Sequence, residues 1–156
     1  MGERLTKRWT KTTEEAFGPR GKQGRDAELF LMKVLSEQFK WEVCDQEAER
    51  EDQISGVDVA FKAPTWSNWY TADVKGNIQE NGRFYVDTDV NGWLFDSRKI
   101  SHRIWHVNPK TGWMVWYDRN DMKEHVKKIG KFNQGLLPIN TWDKLDFITR
   151  RKAKVD

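Results

Sequence analysis

Two stretches, Gly56-Val57-Asp58-Val59 and Ala72-Asp73-Val74-Lys75-Gly76, set acids and an amine inside apolar surroundings. Side chains i and i+2 of a strand share a face. Asp73 and Lys75 therefore point the same way, and Val74 points to the opposite face. A carboxylate can hold a hard cation through oxygen. An amine beside it can orient or activate water and steady developing negative charge. Together they suit metal-assisted hydrolysis of a phosphodiester. Asp58 precedes Asp73 by 15 residues, enough for a strand, a loop and an antiparallel return. Such a hairpin would set the two acids side by side, where they repel unless a cation lies between them.

The elements needed to position these groups are legible. Asp26 is a good N-cap for a helix running to about Phe39. At 100° per residue Leu31, Met32, Leu35 and Phe39 form one stripe, and Glu28 falls within it. Trp41 to Cys44 reads as a short strand and Gln46 to Asp52 as an acidic, exposed stretch. Val57 to Phe61 reads as a strand, residues 63–68 as a connection and Trp69 to Ile78 as a strand. Asn81-Gly82 is a hairpin signal ahead of Arg83 to Val86. Arg103 to Val107 and Trp113 to Tyr117 form a second hairpin. Asp121 to Ile129 reads as a helix stopped by Gly130. The rest, through Leu136, Leu137 and Ile139, carries no assignable pattern. The order predicts an α/β domain with a mixed sheet. The plainer reading of the acids is a turn residue at Asp58 and a solvated Asp73–Lys75 ion pair, which is worth little. Against it, both acids interrupt apolar runs. For Glu28 the plainer reading is a favourable acid in the first turn of a helix.

The pattern Asp58…Asp73-Val74-Lys75 resembles the signature of the PD-(D/E)XK nuclease superfamily, including the archaeal-type Holliday junction resolvases and the exonuclease branch. The resemblance spans roughly Asp26 to Tyr117. It implies a restriction-endonuclease-like core, with a mixed central sheet flanked by helices, over residues 26–147. It implies Mg²⁺ or Mn²⁺ held by Asp58, Asp73, the Val74 backbone carbonyl and Glu28, which matches an acid often found on the family's first helix. Lys75 would position the attacking water. DNA is the implied substrate, in repair, recombination or replication. Val57 stands where the family name has Pro. Asp73 stands where Glu is commoner, which shortens the reach by a methylene. Residues 93–117 resemble compact nuclease-like proteins of tailed phages. The small size favours structure-selective or weakly specific cutting. A homodimer would supply two sites for two strands. The alternative is a non-catalytic nucleic-acid-binding or structural protein on the same fold.

The 156 residues fit one domain. No run of 18 apolar residues exists, so no membrane-spanning helix is expected. The charged start lacks the apolar core of a secretory signal. One cysteine excludes an intrachain disulfide framework and a cysteine-based zinc site. These features lead to an expectation of an intracellular, cytoplasmic protein, in the host cytoplasm if phage-encoded. Net charge is +3, too mild to argue for nucleic acid, but its distribution is uneven. Residues 1–25 read as a flexible basic arm and residues 148–156 as a basic tail. Basic ends suit phosphate contact, or are only solvated.

Further substrate-binding candidates are Asn77 and Gln79, which continue the Lys75 face, and the basic cluster Arg98, Lys99, His102 and Arg103. Exposed polar residues without a ligand are the plainer reading. Trp66 and Trp69 flank the loop between the two acids and could stack on bases. Trp105, Trp113 and Trp116 fit core positions better. His102 and His106 share a face but lack the further ligands that zinc needs. Cys44 reads as a small buried hydrophobe.

Overall fold

The computed structural model describes residues 19–46, 56–140 and 145–155, with side chains from Gly24 onward. The arm up to residue 18 and most of the acidic stretch 47–52 lie outside the described residues. Helix α1 spans Pro19–Lys33 and runs into a π-helical turn, Val34–Gln38. The strands are β1 Glu42–Asp45, β2 Val59–Lys62, β3 Tyr70–Lys75, β4 Arg83–Asp87, β5 Arg103–Val107 and β6 Trp113–Asp118. Helix α2 follows at Arg119–Lys128, then β7 Leu136–Asn140 and β8 Thr149–Lys152.

The fold is mixed α/β. Six strands form one sheet in the order β1-β2-β3-β5-β6-β8. Its neighbours are antiparallel except β3 and β5, which run parallel with Asp73 beside Ile104 and Lys75 beside His106. A parallel pair needs a long crossover. Here residues 76–102 supply it, and they include β4, which leaves the sheet and pairs with β7.

Alternation along the central strands divides the interior into two cores. Ala72, Val74, Trp105, Val107 and Met114 face Ala27, Leu31, Val34 and Leu35 of the first helical segment. Ile104, Val115 and Tyr117 face Phe84, Val86, Leu94, Met122, Val126 and Ile139 on the other side. Asp73 and Lys75 point to this second side, opposite α1.

Several expectations need correction. Asp26 caps nothing: α1 begins at Pro19 and takes in Gly21 and Gly24, despite a cost of about 1 kcal/mol per interior glycine. Arg25 helps to hold this segment, bonding Glu28 one turn on and Asp45 on β1. Asn81-Gly82 does turn the chain, with Gly82 N–H donating to Gln79 O. The strand after it pairs with β7 rather than β3, because β5 holds that edge of β3. Residues 149–152, read as tail, form edge strand β8 against β6. Cys44 is exposed on β1 rather than buried.

Candidate functional site

The antiparallel β2–β3 ladder runs from Phe61–Tyr70 to Val59–Ala72 and then slips by one residue. The Asp58 N–H donates to Ala72 O at 2.9 Å, a bond outside the ladder's register. On its other edge Asp58 stays in register with the end of β1, its carbonyl accepting from Gln46 N–H at 3.0 Å. The Val74 N–H donates to the Asp58 side chain, at 2.9 Å to Oδ2. An irregularity of this kind re-aims a side chain. Here it turns the Asp58 carboxyl toward Asp73, close enough for the two acids to act on each other.

Asp73 is buried, with 3% of its surface exposed. A charge so placed is costly unless paired. Lys75 Nζ lies 3.2 Å from its Oδ1, and Arg119 Nη2 lies 4.0 Å from its Oδ2. Burial pushes the Asp58 carboxyl well above the usual carboxylate range, and the charge of Asp73 pushes it further. The Val74 N–H and Lys75 act the other way but do not win. Asp58 therefore holds its proton more tightly than a free carboxyl does. A divalent cation placed between the two carboxyls would relieve their mutual repulsion. Two hard oxygen donors at one point fit Mg²⁺ or Mn²⁺ in kind.

Other parts hold this point in place. Lys75 packs 5.0 Å from the centroid of the Trp93 ring. Arg119, the first residue of α2, donates from Nε to Ser101 O at 2.9 Å, from Nη2 to Ser101 Oγ at 2.6 Å and from Nη1 to the carbonyls of Trp93 and Leu94. It ties the segment 93–101 to Asp73. Asp96 organises the same segment: the Arg98 guanidinium and then its N–H hold the Asp96 carboxyl down to about 2. Gly56, at φ +72°, lies against Lys99 and Asp73, and a Cβ there would stand 3.0 Å from Lys99 Cδ and 3.4 Å from Asp73 Oδ2.

Beneath Lys75 runs a buried polar chain. Asn77 Nδ2 donates to Tyr85 O, so its Oδ1 is the acceptor facing His106 Nδ1 at 2.6 Å. His106 therefore carries its proton on Nδ1, and Nε2 accepts from Tyr117 OH at 2.6 Å. Burial, and then the Lys75 charge, pull the imidazole well below its ordinary range, so it is neutral.

The structure brings Asp58, Asp73 and Lys75 together. Glu28 is buried on α1, whose core-facing side covers the opposite face of the sheet, and accepts from Arg25 at 2.9 Å. Among the described residues no three His, Cys, Asp or Glu side chains gather closely enough to hold one metal ion. Val74 meets the site through its N–H. Asn77 is engaged inward, and Gln79 is exposed in the turn after β3. Arg98 is exposed and pairs with Asp96 at 2.7 Å. Lys99 reaches the Asp73 neighbourhood. Exposed His102 takes the Thr71 N–H on Nδ1 at 3.0 Å. Arg103 lies over Phe61, Trp66 and Tyr70 and sits 3.5 Å from Asp118. Trp66 packs among Trp41, Phe61 and Tyr70, whereas Trp69 keeps 44% of its surface exposed. Sequence reasoning missed Arg119 and Trp93. No motif marks either, because each joins the site from a distant segment.

No helix among the described residues is long and apolar enough to cross a membrane. In comparisons with known proteins the chain matches no family model, and no curated protein or solved structure is significantly similar to it.

Proposed function

We propose that this protein is a metal-dependent nuclease acting on DNA, with Asp58 and Asp73 as carboxylate ligands and Lys75 as the amine that orients water. The observation that carries the reading is the Asp58–Asp73 carboxyl pair, Asp73 buried and Asp58 half-buried, turned together where β2 slips against β3, with Lys75 3.2 Å from Asp73. Two acids and a lysine converging in this way match the residue types that the PD-(D/E)XK resemblance assigns to catalysis. By the same resemblance the Val74 carbonyl would complete the ligand set, while Glu28 stays on α1 across the sheet from Asp73. The bound cation would supply Lewis-acid polarisation of the phosphate and a more acidic water.

The chain's own residues do the rest. Asp58, in its ionised form, would hold the cation together with Asp73. Asp73 is steadied by Lys75 and Arg119. The Lys75 ammonium, held against Trp93 over the neutral His106, can donate to the attacking water and to a phosphate oxygen as charge builds. The Asp73–Lys75–Arg119 contacts also favour a second reading, a structural ion cluster in a non-catalytic nucleic-acid-binding protein.

Cleavage of a labelled panel separates the two: duplex, single strand, flap, four-way junction and RNA, each with Mg²⁺, Mn²⁺ or chelator. Metal-dependent cutting that falls by at least about a hundredfold in Asp73→Asn and Lys75→Ala supports the nuclease. Absence of cutting on every member, with binding retained, would assign the cluster to structure.

A further inference from the structure

A groove of about 530 Å³ opens between residues 99–102 and the start of α2. Its size is in the range of sites for small ligands, roughly 300–1,000 Å³. Two of its lining residues, Lys99 and Arg119, also border Asp73. Along β3 Tyr70 is three residues, about 10 Å, from Asp73 and takes the other face of the strand, the side of Phe61 and Trp66. We propose that this groove binds one unpaired nucleotide of the substrate strand, its base against Tyr70 and Ile100 and its phosphate on Lys99 and Lys123. The proposal rests on the nuclease reading for the substrate being nucleic acid, and it adds that the strand is single where it meets the protein.

Three observations carry it. The apolar wall is open: Ile100 is 66% exposed and Tyr70 38%, with Trp69, 44% exposed, next in the chain. Tyr70 is backed by Phe61, Trp66 and His102, ring centroids 5.0–6.4 Å away, so it is a rigid platform. Stacking needs a base whose face is uncovered, which a base inside a duplex does not offer. Cations stand on both walls, Lys99 beside Ile100 and Lys123 on α2, against Asp118 and Asp121, and Asp118 lies against Arg103 at 3.5 Å. Burial lowers the pKa of the Lys123 amine, and the neighbouring Arg119 and Lys127 charges lower it further, so an anion placed there would be favoured. Finally, His102 lines the groove and uses Nδ1 to accept from the Thr71 N–H, which leaves its ring proton on Nε2.

The test is binding in chelator, where nothing can be cut. Fluorescence anisotropy of labelled oligothymidylate and of a blunt duplex is measured for the wild type, Asp73→Asn, Tyr70→Ala and Ile100→Glu. The expected result is at least a tenfold preference for the single strand. That preference is kept in Asp73→Asn and lost by about tenfold in each groove variant, with duplex affinity unchanged. Thymidine 5′-monophosphate should compete far better than inorganic phosphate. Ile100 is so exposed that its replacement spares the fold even if Tyr70→Ala does not. Equal affinity for duplex and single strand would overturn the proposal. So would unaltered single-strand binding in Ile100→Glu, or equal competition by phosphate. Failure of cutting with this binding intact would instead remove the nuclease reading and leave the groove.

Discussion

Asp58 is the residue whose chemistry depends most on its surroundings. Its folded pKa is raised, first by burial and then by Asp73. A carboxyl with a raised folded pKa binds its proton more tightly in the folded chain than in the unfolded one. The stability linked to it is therefore complete below the unfolded value of 3.8 and is lost as pH rises through the folded value. In chelator, the thermal midpoint should fall with pH across that window. Asp58→Asn keeps the Val74 N–H bond and removes the titration. It should flatten the slope and raise the metal-free midpoint near neutral pH by about 2–4 °C, the shift that roughly 1 kcal/mol makes in a chain of this size. Saturating Mg²⁺ should raise the wild-type midpoint and leave the variant's unchanged. A wild-type midpoint indifferent to pH in chelator would contradict the raised Asp58 pKa.

Among the elements, the β5–β6 hairpin and β8 depend on one glycine. Gly112 has φ +83°, and a Cβ there would run into the Ala153 carbonyl and stand 2.9 Å from Val155 Cγ2. Its own carbonyl accepts from Ala153 N–H at 2.8 Å. Gly112→Ala should release β8 from β6, costing about 1–3 kcal/mol for strained backbone. Denaturant titration would give the loss, and hydrogen exchange should quicken first at residues 150–152. The polar chain below Lys75 behaves differently. Tyr117→Phe would leave His106 Nε2 buried without its donor, at a cost of about 1–3 kcal/mol. Intact Asn77–His106 and Lys75 geometry should keep metal affinity close to wild type, which isothermal titration with Mn²⁺ would check.

At the scale of the molecule, the sheet separates two cores, and the site lies on the face opposite α1. Damage to the α1 side should lower stability without entering the site. Leu31, fully buried there, should cost about 2–5 kcal/mol as Leu31→Ala. That is a large share of a typical total of about 5–15 kcal/mol. Below the lowered midpoint, Mn²⁺ affinity should be unchanged. If binding fell in parallel with stability at low temperature, the two faces would be coupled.

Local patterns carried most of the strands. Alternation marked Arg103–Val107 with its observed limits and marked Trp113 to Tyr117 one residue short. The same alternation put Asp73 and Lys75 on one face, and the spacing to Asp58 predicted the antiparallel return seen between β2 and β3. These follow from the two-residue period of a strand, a property of neighbouring residues alone. What lay beyond local pattern was decided by contacts between distant segments. The partner of β4 is β7, whose Leu136-Leu137-Pro138-Ile139 shows no clean period. The start of α1 extends through glycines that an isolated peptide would disfavour. Glu28 shares the helix stripe with Leu31, but that stripe packs on the sheet face away from Asp73. Arg119 reaches Asp73 only because α2 and residues 93–101 fold over one end of the sheet. Spacing along the chain shows which face a side chain takes. Only packing decides which groups that face meets, because burial and pairing energies belong to the assembled interior.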